Sequence, residues 1–216
     1  PLLHVVYSGS SILDLKEGGA DLSRRIIEYH IPVWSFREYL NIRNGWSLKS
    51  ATLEEVLKGN VDFPYGPERP LKYFDDYMKK GCYPFSFEPE FETRLRQVIN
   101  QTMEVDIPQY ANMNASTGRK LKKLLAVIAQ SVPSKPVMDS LATVIGVSRN
   151  VLPDYFLYME QAGMIGQLRD DTGGIRGIGK VEKVYLDNTS LAYLLGREAT
   201  DTGNIRETFF YNQMRV

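Results

Sequence analysis

A chain of 216 residues, 43% of them hydrophobic, is long enough to bury one large core or two small ones. Its 26 Lys/Arg balance its 26 Asp/Glu, so attraction to nucleic acid or to a membrane surface has to come from a local patch rather than from global charge. The single Cys82 excludes an intrachain disulfide framework and two histidines leave no material for a Cys/His zinc cluster; together with the lack of any apolar run near 18 residues and of a secretory signal, this points to a soluble, cytoplasmic protein.

The opening stretch "LLHVVYSGSS" is an apolar run that stops in small polar residues, the look of a parallel strand buried on both faces. A Gly-containing loop leads to "IIEYHIPVW", which is predicted to be a second strand. Ser35 with Glu38, and Thr52 with Glu55, have capping-box spacing and predict the starts of two short helices; Gly59 is placed to end the second. Two further helices are predicted in "LKYFDDYMKKG" and "EPEFETRLRQVINQTM", the latter with Phe91, Leu95, Val98, Ile99 and Met103 on one face. Tyr73, Phe74 and Tyr77 read as helical core, His4 and His30 as packed or edge residues, and Asp106 to Asn114, with Pro108, as a linker.

From Ser116 to Asp187 the pattern is more specific. "STGRKLKKLLAVIAQ" predicts an amphipathic helix burying Leu121, Leu124, Leu125 and Ile128. The next segment has helix-turn-helix spacing: small Ala142 for close approach, Gly146 for a left-handed turn, and Leu152 six residues later, with Leu141, Ile145, Val147 and Tyr155 packing the two helices. "MIGQLR" and "KVEKVYL", joined by the Gly-rich "DDTGGIRGIG" with Gly173 and Gly174 at its tip, predict a hairpin. Three helices and a hairpin make a winged helix-turn-helix, and "TSLAYLLG" and "TGNIRETFFYNQMRV" follow as amphipathic helices. The fold class expected is mostly α (α+β).

Nucleic-acid contact by such a unit would come from Ser148, Arg149 and Asn150 at the start of the second helix, and from Arg169, Arg176, Lys180 and Lys183 on or near the wing. The segment holds ten Lys/Arg against seven Asp/Glu, a small surplus, and Asp154, Asp170 and Asp171 oppose phosphate. Duplex DNA and a protein partner both remain open for this surface. Cys82 has no basic neighbour in sequence and is expected to be inert.

Taken in order, "VVYSGSS", "ADLSRR", "IPVWSFREYL", "GCYPFSF", "KVYLDNTSLAYLL" and "NIRETFFYNQ" resemble the middle and rear of a large prokaryotic family of AAA-like P-loop ATPases. Its members carry an ATPase core, a helical lid, a winged helix, and a C-terminal domain with a degenerate endonuclease-like fold. The resemblance implies a fragment with a remnant of the parallel-sheet ATPase core over 1–40, a helical lid over 41–115, the winged helix over 116–187 and the start of the C-terminal domain over 188–216. It implies that Ser8, Ser10 and Ser11 form the tip of a sensor strand, and that Arg25, in "LSRR" where the family has Leu-Ala-Gly-Arg, reaches a triphosphate. ATP and Mg²⁺ would then be ligands of the intact parent and not of this chain, in which no G-x-x-x-x-G-K-[ST] occurs; "TGGIRGIGK" lacks a Ser/Thr after Lys180. The function implied is a DNA- or protein-binding module coupled to ATP hydrolysis in the parent. A protein-interaction adaptor that never meets nucleic acid is the alternative, and part of a nuclease-like protein is a third: Asp187 and Glu207 lie in motifs that the endonuclease-like domain retains, while its metal-binding residues are expected beyond Val216. With its neighbours missing, the strand from Leu2 to Tyr7 would either pair with that near Ile26 to Ile31 and with a second copy of the chain, giving self-association, or be poorly ordered.

Overall fold

A computed structural model describes residues 31–61, 70–170, 180–196 and 201–215, together with Val6, Ile27 and Tyr29. Most of these residues are helical, and the sheet among them is a two-stranded antiparallel hairpin. No helix among them is long and apolar enough to cross a membrane. The expected opening strand and the tip of the hairpin lie outside the described residues. Ile27, Tyr29 and 31–35, by contrast, belong to no strand, and Ile27, Tyr29 and Ile31 are exposed. An apolar run becomes a strand only where another strand offers its hydrogen-bonding edge, and the described residues offer this one none.

Helix α1 (Phe36–Asn44) starts where Ser35 Oγ accepts the Glu38 N–H, and the Glu38 carboxylate accepts the Ser35 N–H at 2.7 Å. The backbone and hydroxyl bonds from Ser35 hold Glu38 below the usual carboxylate range. Thr52 and Glu55 repeat the device at α2 (Leu53–Leu57). Helix α3 (Pro70–Asp76) runs on into a wide turn, Tyr77–Gly81.

Helix α4 (Phe91–Gln101) buries Phe91, Leu95 and Ile99. The linker expected over Asp106 to Asn114 begins instead as helix. The chain passes through a wide turn at Thr102–Asp106, where the Ile107 N–H reaches back to Thr102 O, into α5 (Ile107–Tyr110), with Ile107 and Pro108 buried. A proline ring clashes with the carbonyl four residues back, and widening the turn just before Pro108 relieves that clash without ending the helix.

Helix α6 (Ala115–Ser131), capped by Asn114, buries Leu121, Leu124, Leu125 and Ile128 as the periodicity requires. Helix α7 (Met138–Ile145) ends at Gly146 with φ +73°, a conformation that a side chain would strain. After a short turn at Arg149–Val151, α8 (Leu152–Gln161) leads to β1 (Ile165–Asp170) and β2 (Lys180–Leu186). The strands pair from Ile165 with Leu186 to Asp170 with Lys180, with an irregularity at Leu168/Arg169, and Ser134 bridges Val184 on the other edge of β2.

Helices α9 (Thr189–Gly196) and α10 (Thr202–Met214) follow. No single apolar stripe runs along α10: Ile205 is buried, while Phe210 and Met214 are exposed. Two apolar clusters result. The larger joins α4 through α9 and includes both strands; the smaller gathers Tyr39, Leu40, Tyr77, Met78, Cys82 and Ile205. Packing therefore crosses positions 115 and 187, tying α4 to α6 and the C-terminal α10 to α1 and α3.

Candidate interaction site

The turn between α7 and α8 is built as its spacing demands. Ala142, Ile145, Leu152 and Tyr155 are buried, Leu141 and Val147 pack against them, and the Gly146 and Val147 N–H groups both reach Ala142 O. This presents Ser148, Arg149 and Asn150 to solvent at the start of α8. The Arg149 guanidinium, however, lies 3.1 and 3.2 Å from the Asp139 carboxylate oxygens. Asp154 is exposed one turn further on.

Two cations of the hairpin are likewise held. Arg169 pairs with Glu160, whose carboxylate also accepts the Gln167 N–H, and Lys183 Nζ lies 2.5 Å from Glu207. Arg176 lies outside the described residues, as do Ser8, Ser10, Ser11 and Arg25, and of Lys180 only the backbone is described. The structure thus brings Ser148, Arg149 and Asn150 together without making a positive face of them.

Two features escaped the sequence reading. Lys120 and Lys123 of α6 reach across to the end of α7, donating to Gly146 O at 3.3 Å and Val144 O at 2.6 Å, where a cation complements the helix dipole. Four lysines and arginines within five residues and no acid nearby were the signal. The second is a polar network beneath α10. Gln213 accepts the Phe36 N–H at 3.0 Å and donates to Tyr77 OH at 3.0 Å, and Tyr77 donates in turn to Trp34 O at 2.7 Å. Asp187 takes Arg215 at 2.6 Å on its carboxylate and Asn212 at 3.0 Å on its carbonyl, while Asn188 reaches Tyr83 OH at 2.9 Å. Tyr211 stacks on Tyr185, centroids 4.2 Å apart.

Most of the stretches that carried the family resemblance from Trp34 onward meet in this network, and the arrangement is that of a fastening. Asp187 and Glu207 are engaged in ion pairs, Glu207 being held below the usual carboxylate range by Lys183, and among the described residues no three His, Cys, Asp or Glu groups are placed to hold a metal ion. Cys82 is buried with its Sγ 3.7 Å from Thr189 Oγ1, and burial pushes its thiol up, away from the reactive thiolate. Replacing Tyr77 by Phe removes the hydroxyl that joins Trp34 to Gln213 and is expected to cost about 1 kcal/mol, seen as a lower urea midpoint of the tryptophan fluorescence.

The chain belongs to a family defined by a domain of unknown function, DUF8612, whose model matches residues 71–201, from α3 to the residue that caps α10. It is also similar to the uncharacterized protein MJ1637 of Methanocaldococcus jannaschii, 23% identical over 175 residues covering 76% of this chain and 36% of the relative. The chain therefore spans about a third of the length of the curated relative it matches. No solved structure matches it.

Proposed function

We propose that residues 116–187 are a winged helix-turn-helix used for protein contact, an adaptor within a larger AAA-like ATPase of the kind the sequence motifs resemble. The observation that favours protein over DNA is the charge at the start of α8, where the acids Asp139 and Asp154 stand exposed on either side of Arg149 and offset its charge. From Met138 to Gln161 one Arg faces three acids, Asp139, Asp154 and Glu160. Helices α7 and α8 thus bring no surplus of positive charge to a duplex, which carries one phosphate charge per roughly 1.7 Å of axis. Exposed Val144, Leu157 and Leu168 on the same unit suit a protein partner better.

ATP and Mg²⁺ belong, on this proposal, to the parent's nucleotide-binding half. The present residues do not make up a triphosphate site: the sequence has no P-loop, and Ser8, Ser10, Ser11 and Arg25 alone supply neither a phosphate cradle nor a metal-binding acid pair.

Fluorescence anisotropy with a labelled duplex, titrated between low and high salt, tests the choice. No saturable binding is expected at micromolar chain. Binding whose log–log salt slope is about −3, as three phosphate contacts require, and which is abolished by Arg149→Glu, Arg176→Glu and Lys180→Glu together, would restore the DNA-binding alternative.

A further inference from the structure

Helix α6 carries Arg119, Lys120, Lys122 and Lys123 and no acid along its 17 residues. Lys122 pairs with Glu104 at 3.0 Å, but the ion pairs among the described residues leave Arg119, Lys120 and Lys123 without a carboxylate. Lys120, Lys123, Val127 and Ser131 are spaced three and four apart, so they form one edge of the helix, the edge facing α7. Toward its C-terminal end that edge opens into a groove of about 380 Å³ whose walls include Val127, Val137, Leu141 and Phe156. The groove is therefore cationic at one end and apolar at the other.

The complementary surface is present in the same chain. Helix α2 has a full capping box and yet buries none of its residues: Leu53, Val56 and Leu57 are 74%, 54% and 78% exposed. Between them stand Glu54 and Glu55. Glu55 uses Oε2 for both of its capping bonds, and Glu54 meets only Lys58, in a pair more than half exposed on both sides, which is worth little and easily exchanged. A short helix already ordered in its binding conformation gives up little entropy on docking.

We propose that the α6–α7 groove receives helix α2 of a second copy of this chain. Leu53, Val56 and Leu57 fill the apolar end; Glu54 exchanges Lys58 for a cation of the other end, and Glu55 keeps its capping bonds on Oε2 and offers Oε1 to Lys120, Lys123 or Arg119. At about 1.5 Å per residue the five residues of α2 match the span from Lys123 to Ser131 with room for the caps. The contact is head-to-tail, each copy offering a helix to one neighbour and a groove to another, and its small size makes it transient.

Sedimentation equilibrium of the whole chain between roughly 10 μM and 1 mM is expected to show concentration-dependent association. Val56→Glu with Leu57→Glu, and separately Lys120→Glu with Lys123→Glu, should each raise the dissociation constant about tenfold or more. Circular dichroism melts check that both variants stay folded, and a synthetic peptide of residues 50–60 should compete with association of the unaltered chain where a scrambled peptide does not. Mixing the two variants should restore association, limited to a one-to-one pair, because each keeps the surface that the other lacks. A chain that remains monomeric throughout, single variants that associate like the parent, or a mixture that fails to pair would each overturn the proposal. So would a labelled duplex whose binding depends on Lys120 and Lys123 while self-association does not.

Discussion

Gly118→Ala is expected to lower the melting temperature by about 2–8 °C, although the same change in an ordinary helix would raise stability by about 1 kcal/mol. Gly118 lies in the first turns of α6, where that helix crosses the wide turn at Thr102–Asp106. A Cβ there would fall 2.8 Å from Glu104 Cα and 3.0 Å from Met103 O. Both obstacles are backbone, so no side chain can swing aside. The helices would have to separate at a joint where Met103, Ile107 and Leu121 are fully buried. Overpacking against backbone that cannot yield lies toward the upper part of the usual range of about 1–3 kcal/mol, which leaves a net loss of about 1–2 kcal/mol after the propensity gain. Gly166 makes the contrast: a Cβ there would lie 2.5 Å from Tyr211 Cε1, a ring edge that can yield, so Gly166→Ala should cost less and act mainly by loosening α10. Differential scanning calorimetry of the two variants checks the order; a Gly118→Ala protein as stable as the parent would show that the crossing has slack.

What could be read from the sequence was what neighbouring residues decide among themselves. Ser35 with Glu38 and Thr52 with Glu55 are three residues apart, and each pair closes its helix end without help from the rest of the chain. Ala142, Gly146 and Leu152 set the α7–α8 turn in the same local way. The segment around Pro108 was misread because a proline usually ends a helix, and only the preceding wide turn lets it continue. Arg149 was identified as an exposed cation, but its partner Asp139 sits ten residues back, across a turn whose angle the spacing does not give. Gln213 bonds Phe36 across 177 positions, and no local pattern marks such a pair. Of the strand expected near Ile26 to Ile31, the described residues Ile27, Tyr29 and Ile31 are in no strand: a pattern of side chains describes a strand, but a strand also needs a neighbour. Gly118, a glycine inside a strongly periodic helix, and the basic run from Arg119 to Lys123 are long-range contacts that do carry a sequence signal.

Phe156→Ala is expected to destabilise the chain by about 3–5 kcal/mol, a large part of the stability of a domain this size. Phe156 is 1% exposed, packed within the larger cluster beneath the β hairpin, and it also walls the α6–α7 groove. Truncation leaves a cavity that the hairpin cannot collapse into while β2 is held on its far edge by Ser134 and at its end by Asp187 and Arg215. The two clusters make the unfolding informative. The larger contains 24 buried hydrophobic residues and the smaller six, and both tryptophans, Trp34 and Trp46, sit by the smaller. A cluster of six side chains cannot offset the conformational entropy of the helices around it, so it should depend on the larger one through α10 and Tyr83. In Phe156→Ala, tryptophan fluorescence and far-ultraviolet circular dichroism are therefore expected to report a single, coincident transition at lower temperature. The converse should not hold. In Tyr77→Phe the fluorescence transition should precede the loss of helical signal, because weakening the fastening frees the smaller cluster while Leu121, Leu125, Leu152 and Phe156 stay packed. Separate transitions in Phe156→Ala, with fluorescence unmoved, would show instead that the smaller cluster stands alone and that α10 fastens two independent units.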